Sequence, residues 1–316
     1  MRRGTTKALA RMALVTLAFA ALFSQRAAGQ SNSSNSSAAA KTATARAVDN
    51  PSGSNSSDVA KTLKTAAEAI GLARWSGVGG QHLPEVDVIN TMEIWGSCTT
   101  DGPVQSNKPG EAGPASKIEF HAALGYNPPA MRVEMTSTGP GAPRHTIEVV
   151  RDNYAWDESE IGAGLIPGKG TATPAMAAVN KRLLQLWILP YGVIKAALAA
   201  GDKARVTTEK GATVITFPLS GLLADVMVKA TLDAKYEVAK VETRTDNPAL
   251  AELITETEYS DYKDHGEIAT DVMSPGHIRW KQGGHPVMDL QVKMLDANNP
   301  YLVFPVPENV KQAAAR

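Results

Sequence analysis

Two stretches of this chain hold residue types that could do chemistry. "HIRWKQGGHPVMDL" (277–290) sets a histidine on either side of a Gly-Gly pair, and "YSDYKDHGE" (259–267) packs Tyr259, Asp261, Tyr262, Asp264 and His265 into seven residues. The first could hold a metal or a base, and the second could supply an acid, a base and a phenol. Spacing argues against the first. If Gln282, Gly283 and Gly284 form a three-residue hairpin loop, Lys281 faces His285, and Ile278 and Trp280 share a face with Met288, Leu290, Val292 and Met294. A two-residue loop would put Asp289 opposite Ile278, on the apolar face. In the three-residue register His277 sits opposite Asp289, four residues from His285, so the two rings are about 13 Å apart and cannot converge on one ion. A surface pair of His277 with Asp289 is expected instead.

The second stretch reads as the end of a strand and a turn, with Asp264 and Gly266 supplying turn chemistry and Tyr259 pointing into the core. His82, His121, His145 and His265 stand singly, with no H-x-H, H-E-x-x-H or C-x-x-C spacing, so neither a metal nor a cofactor is expected. There is no nucleophile elbow, phosphate loop or dinucleotide fingerprint, and no enzyme activity is expected. The lone Cys98 cannot form an internal disulfide and is expected to be buried.

The N-terminus has the three parts of a secretory signal. Arg2, Arg3, Lys7 and Arg11 precede an apolar run from Met12 to Phe23, and Ala27-Ala28-Gly29 offers small residues for cleavage. The run is shorter than the roughly twenty residues of a membrane span. Residues 1–29 are therefore expected to be a cleaved leader, placing the protein in the periplasm or outside the cell. The whole chain has 32 Lys+Arg and 32 Asp+Glu; without the leader's five bases the balance is 27 against 32, which argues against nucleic acid as a partner. Residues 30–57, rich in Ser, Asn and Ala, form an expected disordered linker. One domain, 58–316, follows.

That domain opens with a helical pattern from Asp58 in which Val59, Leu63, Ala66 and Ile70 recur at helical spacing. From about residue 86 the period becomes two. Ile118, Phe120, Ala122 and Leu124 share one face, as do Met131, Val133 and Met135, then Ile215, Phe217 and Leu219, and then Val226, Val228, Ala230 and Leu232. Such alternation marks antiparallel strands with one buried face. One apolar helical pair interrupts them: Thr173 is expected to cap a first helix with Pro174 at its first position, and Met176, Val179, Leu183 and Leu186 make its stripe. Pro190 breaks it, and Tyr191 to Ala200 makes a second helix closed by Gly201. The expected fold class is α+β, a large curved antiparallel sheet of about ten strands, an incomplete barrel, with helices packed in its concave face.

Five stretches, "VVRDNYAWDESE" (149–160), "RLLQLWILPYGVIKAAL" (182–198), "VETRTDNPAL" (241–250), "TEYSDYKDHGE" (257–267) and "IRWKQGGHPVMDLQV" (278–292), together resemble the domain that precedes the catalytic domain in exported metallo-β-lactamase-fold hydrolases. That domain is similar to the lipoprotein-carrier fold of the LolA/LolB type. The likeness spans about residues 58–310. The chain ends where the hydrolase domain would begin and lacks the H-x-H-x-D-H zinc motif, so the family's hydrolytic activity is not expected here. The carrier likeness implies an apolar concavity, with Phe120, Met131, Val133, Met135, Leu183, Leu186, Trp187, Tyr191 and Ile194 as candidate lining. The same residues equally suit a closed core. The leading expectation is an exported binding domain for a lipid or acyl chain; the second is an interaction domain serving a separately encoded hydrolase of that fold.

Overall fold

The computed structural model describes residues 56–78, 81–86, 89–100, 116–138, 143–265, 272–282 and 285–315, with 74–78, 81–86, 99–100, 116 and 285 described by backbone alone. The expected leader and nearly all of the expected linker lie outside these residues. Helix α1 (Ser56–Ala69) buries Val59, Leu63, Ala66 and Ala67, a stripe at helical spacing, and ends at Gly71, whose φ of 75° favours glycine. A separate two-stranded hairpin follows, β1 (Ala73–Val78) and β2 (Gln81–Val86). It precedes the point where period two becomes legible, because "ARWSGV" and "QHLPEV" do not alternate cleanly.

The period-two segments become one antiparallel sheet of 13 strands. The chain steps outward through β3 (Thr91–Thr100), β4 (Ser116–Tyr126), β5 (Pro129–Thr138), β6 (Arg144–Arg151) and β7 (Tyr154–Glu158) to the edge strand β8 (Ala172–Pro174). It then crosses by α2 (Val179–Trp187) and α3 (Pro190–Ala200) to the other edge, β9 (Arg205–Glu209). From there β10 (Ala212–Pro218), β11 (Val226–Leu232), β12 (Val238–Thr245), β13 (Thr255–Asp264), β14 (Met273–Gln282) and β15 (His285–Ala297) step back until β15 pairs with β3. The sheet is not closed into a barrel. A connection between its two edges must cross a face, and the apolar α2–α3 pair crosses the concave one, where its side chains leave water.

Thr173 does not cap a helix. It pairs with Asp157 in β8, with Pro174 opposite Trp156, and a short 3-10 turn (Met176–Ala178) leads into α2, which has no side-chain cap. Proline is tolerated on an edge strand because its missing N–H faces no partner there, so the edge pairing wins over the cap. The second helix follows the sequence: Pro190 is in its first turn after an extended Leu189, and Gly201 ends it at φ 53°. The two helical segments meet at 94°, and among the described residues no single helix is long and apolar enough to cross a membrane. At the crossing, a Cβ on Gly192 would sit 2.5 Å from the Leu186 carbonyl oxygen and 3.0 Å from Trp187 Cα. Gly192→Ala is therefore expected to destabilise by about 1–3 kcal/mol in urea unfolding, against the roughly 1 kcal/mol gain that helix propensity alone gives alanine. A stabilised variant would show that the helices are not in close contact.

The convex face is covered on one half of the sheet by the C-terminal segment. Phe304 packs on Ala123 and Ala130, its carbonyl accepts from Arg151 Nη1 at 2.9 Å, and the Arg132 guanidinium lies 5.6 Å over its ring. Helix α4 (Glu308–Ala314) then places Val310 in a cluster with Ile147, Val149, Trp156 and Ala172. These convex-face residues alternate with Ala122, Leu124 and Val150, which belong to the main core.

Candidate functional site

The hairpin at 277–290 has a different register from the expected one. Gln282 pairs with His285 and Lys281 with Pro286, and a bulge then makes Trp280 pair with Met288, so His277 lies opposite Gln291. The extra residue, Val287, resolves the conflict that argued against a two-residue connection: Asp289 stands opposite Arg279, while Ile278 meets Leu290 in the core. His277 still reaches Asp289, diagonally, with Nε2 2.7 Å from Oδ1. The His285 side chain lies outside the described residues.

Two histidines that stand apart in sequence share one carboxylate in space. On the convex face His121 pairs with Glu134 across β4 and β5 and with Trp95 across β3, whose ring stacks on the imidazole at 4.8 Å. His145 Nε2 lies 2.7 Å from Glu134 Oε1, and His121 Nε2 lies 3.2 Å from Glu93 Oε1. Each ring already has a carboxylate partner. Among the described residues, no three His, Cys, Asp or Glu side chains are placed to hold a metal ion.

The first four residues of the polar stretch, Tyr259 to Tyr262, line a polar cleft of about 340 Å³ with Asp233, Lys235 and Glu237. Its phenols are committed to the fold. Tyr259 donates to the Ile188 carbonyl at 2.6 Å and Tyr262 to the Val238 carbonyl at 2.7 Å, and burial raises both well above the ordinary phenol range. Asp264 accepts from the Val272 N–H at 3.0 Å, the turn role read from sequence, while burial lowers His265. Gly266 lies outside the described residues. Glu237 is held up chiefly by burial and then by Asp233, which also caps the β11–β12 turn through the Lys235 and Glu237 N–H groups. Sequence reasoning did not single out Asp233 or Glu237, which join the stretch only through the β12–β13 pairing.

The nine candidate lining residues divide into two sets. Leu183, Leu186, Tyr191 and Ile194 on the helices and Met131 on β5 are fully packed core, with Leu186 and Ile194 at 0% exposure. Tyr191 is also tied to the far side of the sheet, donating to the Met273 carbonyl at 2.7 Å. Phe120, Val133, Met135 and Trp187 are only half-buried. The strand members of this second set are not alone. Phe120 pairs with Met135 and Ala122 with Val133, Cys98 lies between Ile118 and Leu290, and Trp280 pairs with Met288. Ile118, Phe120, Val133, Met135, Trp280 and Met288 therefore form one half-covered apolar strip across five neighbouring strands. It lies at the end of the sheet bearing the β3–β4, β5–β6 and β14–β15 connections. Cys98 is buried within it, and burial, with Glu119 and Asp289 nearby, pushes its thiol up to about 11, so it acts as an apolar side chain. The Trp280 indole Nε1–H is buried with no hydrogen-bond partner among the described residues.

No family model matches this chain, and no curated protein matches it. Among solved structures it is similar to a beta-barrel-like protein of the domain of unknown function DUF1849 from Brucella abortus. The identity is 14% and the TM-score 0.22, over 67% of this chain and 99% of that one. The architecture here is defined by the strand order and register of the sheet itself.

Trp187, the remaining half-buried candidate, faces a second cleft of about 200 Å³. Tyr126, Asn127, Lys195, Ala196, Ala199, Leu219 and Ser220 complete its walls. The Tyr126 and Trp187 rings lie 5.9 Å apart at 48°, and the Lys195 ammonium sits 5.0 Å from the centre of the Tyr126 ring. The helical spacing of Lys195, Ala196 and Ala199 was legible in the sequence, but Tyr126 and Leu219 arrive from distant strands.

Proposed function

We propose that this chain is an exported carrier-type binding protein of the LolA/LolB kind that holds an apolar ligand, such as an acyl chain, against the half-covered strip. One observation carries the reading. Six apolar side chains on the inner faces of four strands, β4, β5, β14 and β15, remain only partly buried around the buried Cys98 of β3. Apolar surface left uncovered costs about 25 cal/mol per Å², so a fatty chain laid along Ile118, Phe120 and Met135 is stabilised there. The leader-like first 29 residues support export. The fully packed core under α2 and α3 favours a different position from the one expected from sequence: the ligand lies at the end of the sheet, and the helices serve as filling. That same packing favours the second reading, an accessory domain for a separately encoded metallo-β-lactamase-fold hydrolase.

Extraction and dye binding separate the two. Protein purified without detergent is expected to release fatty acid or phospholipid into organic solvent and to bind N-phenyl-1-naphthylamine. Met135→Lys, which puts a charge on the strip at a half-exposed position, is expected to weaken dye binding by about tenfold or more while its melting temperature shifts little. An empty extract together with no dye binding would overturn the carrier reading and leave the accessory one.

A further inference from the structure

We propose that the cleft between Tyr126, Trp187 and Lys195 is a separate binding site for a small organic carboxylate with a short apolar body. The cleft has the two halves such a ligand needs. Its walls are apolar, formed by the Tyr126 and Trp187 rings with Leu219 and the alanines of α3, and the only charged side chain among its lining residues is Lys195. Asn127 and Ser220 are the other polar groups there. An ammonium whose nitrogen is already withdrawn from water and rests over an aromatic ring gains more from a carboxylate than a solvated one does, because less hydration is given up when the pair forms.

Size and charge narrow the class. Apolar cavities of about 150 Å³ admit benzene, so the roughly 200 Å³ here takes a body the size of benzoate or hexanoate. A phosphate or other dianion would meet a single lysine, with no arginine fork among the lining residues to receive it. The site does not depend on the strip reading of the proposed function: the two share no lining residue.

Burial pulls the Lys195 amine down to about 8. Tyr126 is the other titratable group in the cleft, and burial raises its phenol, so it stays neutral through the range where Lys195 titrates. The cationic form exists below about 8. Carboxylate affinity is therefore expected to be high near pH 6.5 and to fall as pH rises toward about 9.5.

Calorimetric titration with hexanoate and, as a neutral match, hexanol tests the proposal on the full chain. Hexanoate is expected to bind at least about tenfold more tightly than hexanol and to lose about tenfold or more in Lys195→Gln. It should stay within about threefold in Lys195→Arg. It should also quench tryptophan emission in the native chain but not in Trp187→Phe. Met135→Lys is expected to bind hexanoate like the native chain, so failure of the strip and failure of this cleft are told apart. Equal affinities for the acid and the alcohol, unchanged binding in Lys195→Gln, or quenching that survives in Trp187→Phe would each overturn it. Should Lys195→Gln fail to fold, the pH series on the native chain decides, and a flat series overturns the proposal.

Discussion

Leu186→Ser is expected to destabilise the domain by about 3–5 kcal/mol, a large share of the roughly 5–15 kcal/mol that holds a typical domain together. Leu186 has no exposed surface and lies in the α2 turn that meets Gly192 of α3. Truncation loses the transfer energy of the missing methyl and methylene groups and leaves a void that the helix crossing is too tight to close. The serine hydroxyl adds a buried polar group with no partner designed for it. Leu186→Met, which keeps the volume, is expected to cost less than about 1.5 kcal/mol. Urea midpoints at unchanged slope measure both. A Leu186→Ser cost below about 1 kcal/mol would mean that this position is only loosely committed to packing, and the helices would then be a cover over a ligand space.

Arg182→Met is expected to cost about as much, roughly 3–5 kcal/mol, through a different mechanism. Arg182 is 6% exposed on the inner side of α2. Its Nη1 donates to the Val149 carbonyl at 3.0 Å and the Trp156 carbonyl at 2.9 Å, and its Nε lies 3.5 Å from Glu148 Oε2. Nη2 completes the set with Asp157. One guanidinium thus ties the helix to two adjacent strands, and its removal takes from two buried carbonyls a charge-assisted bond that water cannot replace. The carboxylates matter less: Asp157 is about half exposed, so Asp157→Asn is expected to cost under about 1 kcal/mol because water screens that partner. The Arg182→Met melting temperature should fall by roughly 6–20 °C. A fall of only a degree or two would show that the two carbonyl bonds contribute nothing net.

Local chemistry makes much of this protein readable in its sequence. Alternation over 118–124, 131–135, 215–219 and 226–232 declares which side chains share the inner face, because a strand's period of two is a property of its own backbone, and that face is buried throughout 215–219 and 226–232. Pro190 and Gly201 bound α3 for the same reason, since each acts on the φ of its own residue. Faces do not say which strands pair, and so the joining of β15 to β3, which makes two meanders one sheet, came only from the tertiary structure. Competition between elements decided the rest. Thr173 and Pro174 had a cap available and took an edge strand. A bulge at Val287 reset the register that a uniform alternation had implied. Arg182 entered the core because two carbonyls from strands about 30 residues away each accept a further bond from its donors. Neither candidate site could be bounded in advance, because the split between packed and half-covered positions among nine similar apolar side chains depends on how far the helices reach along the sheet. That reach is set by the crossing from β8 to β9, a distance no stretch of the chain encodes by itself.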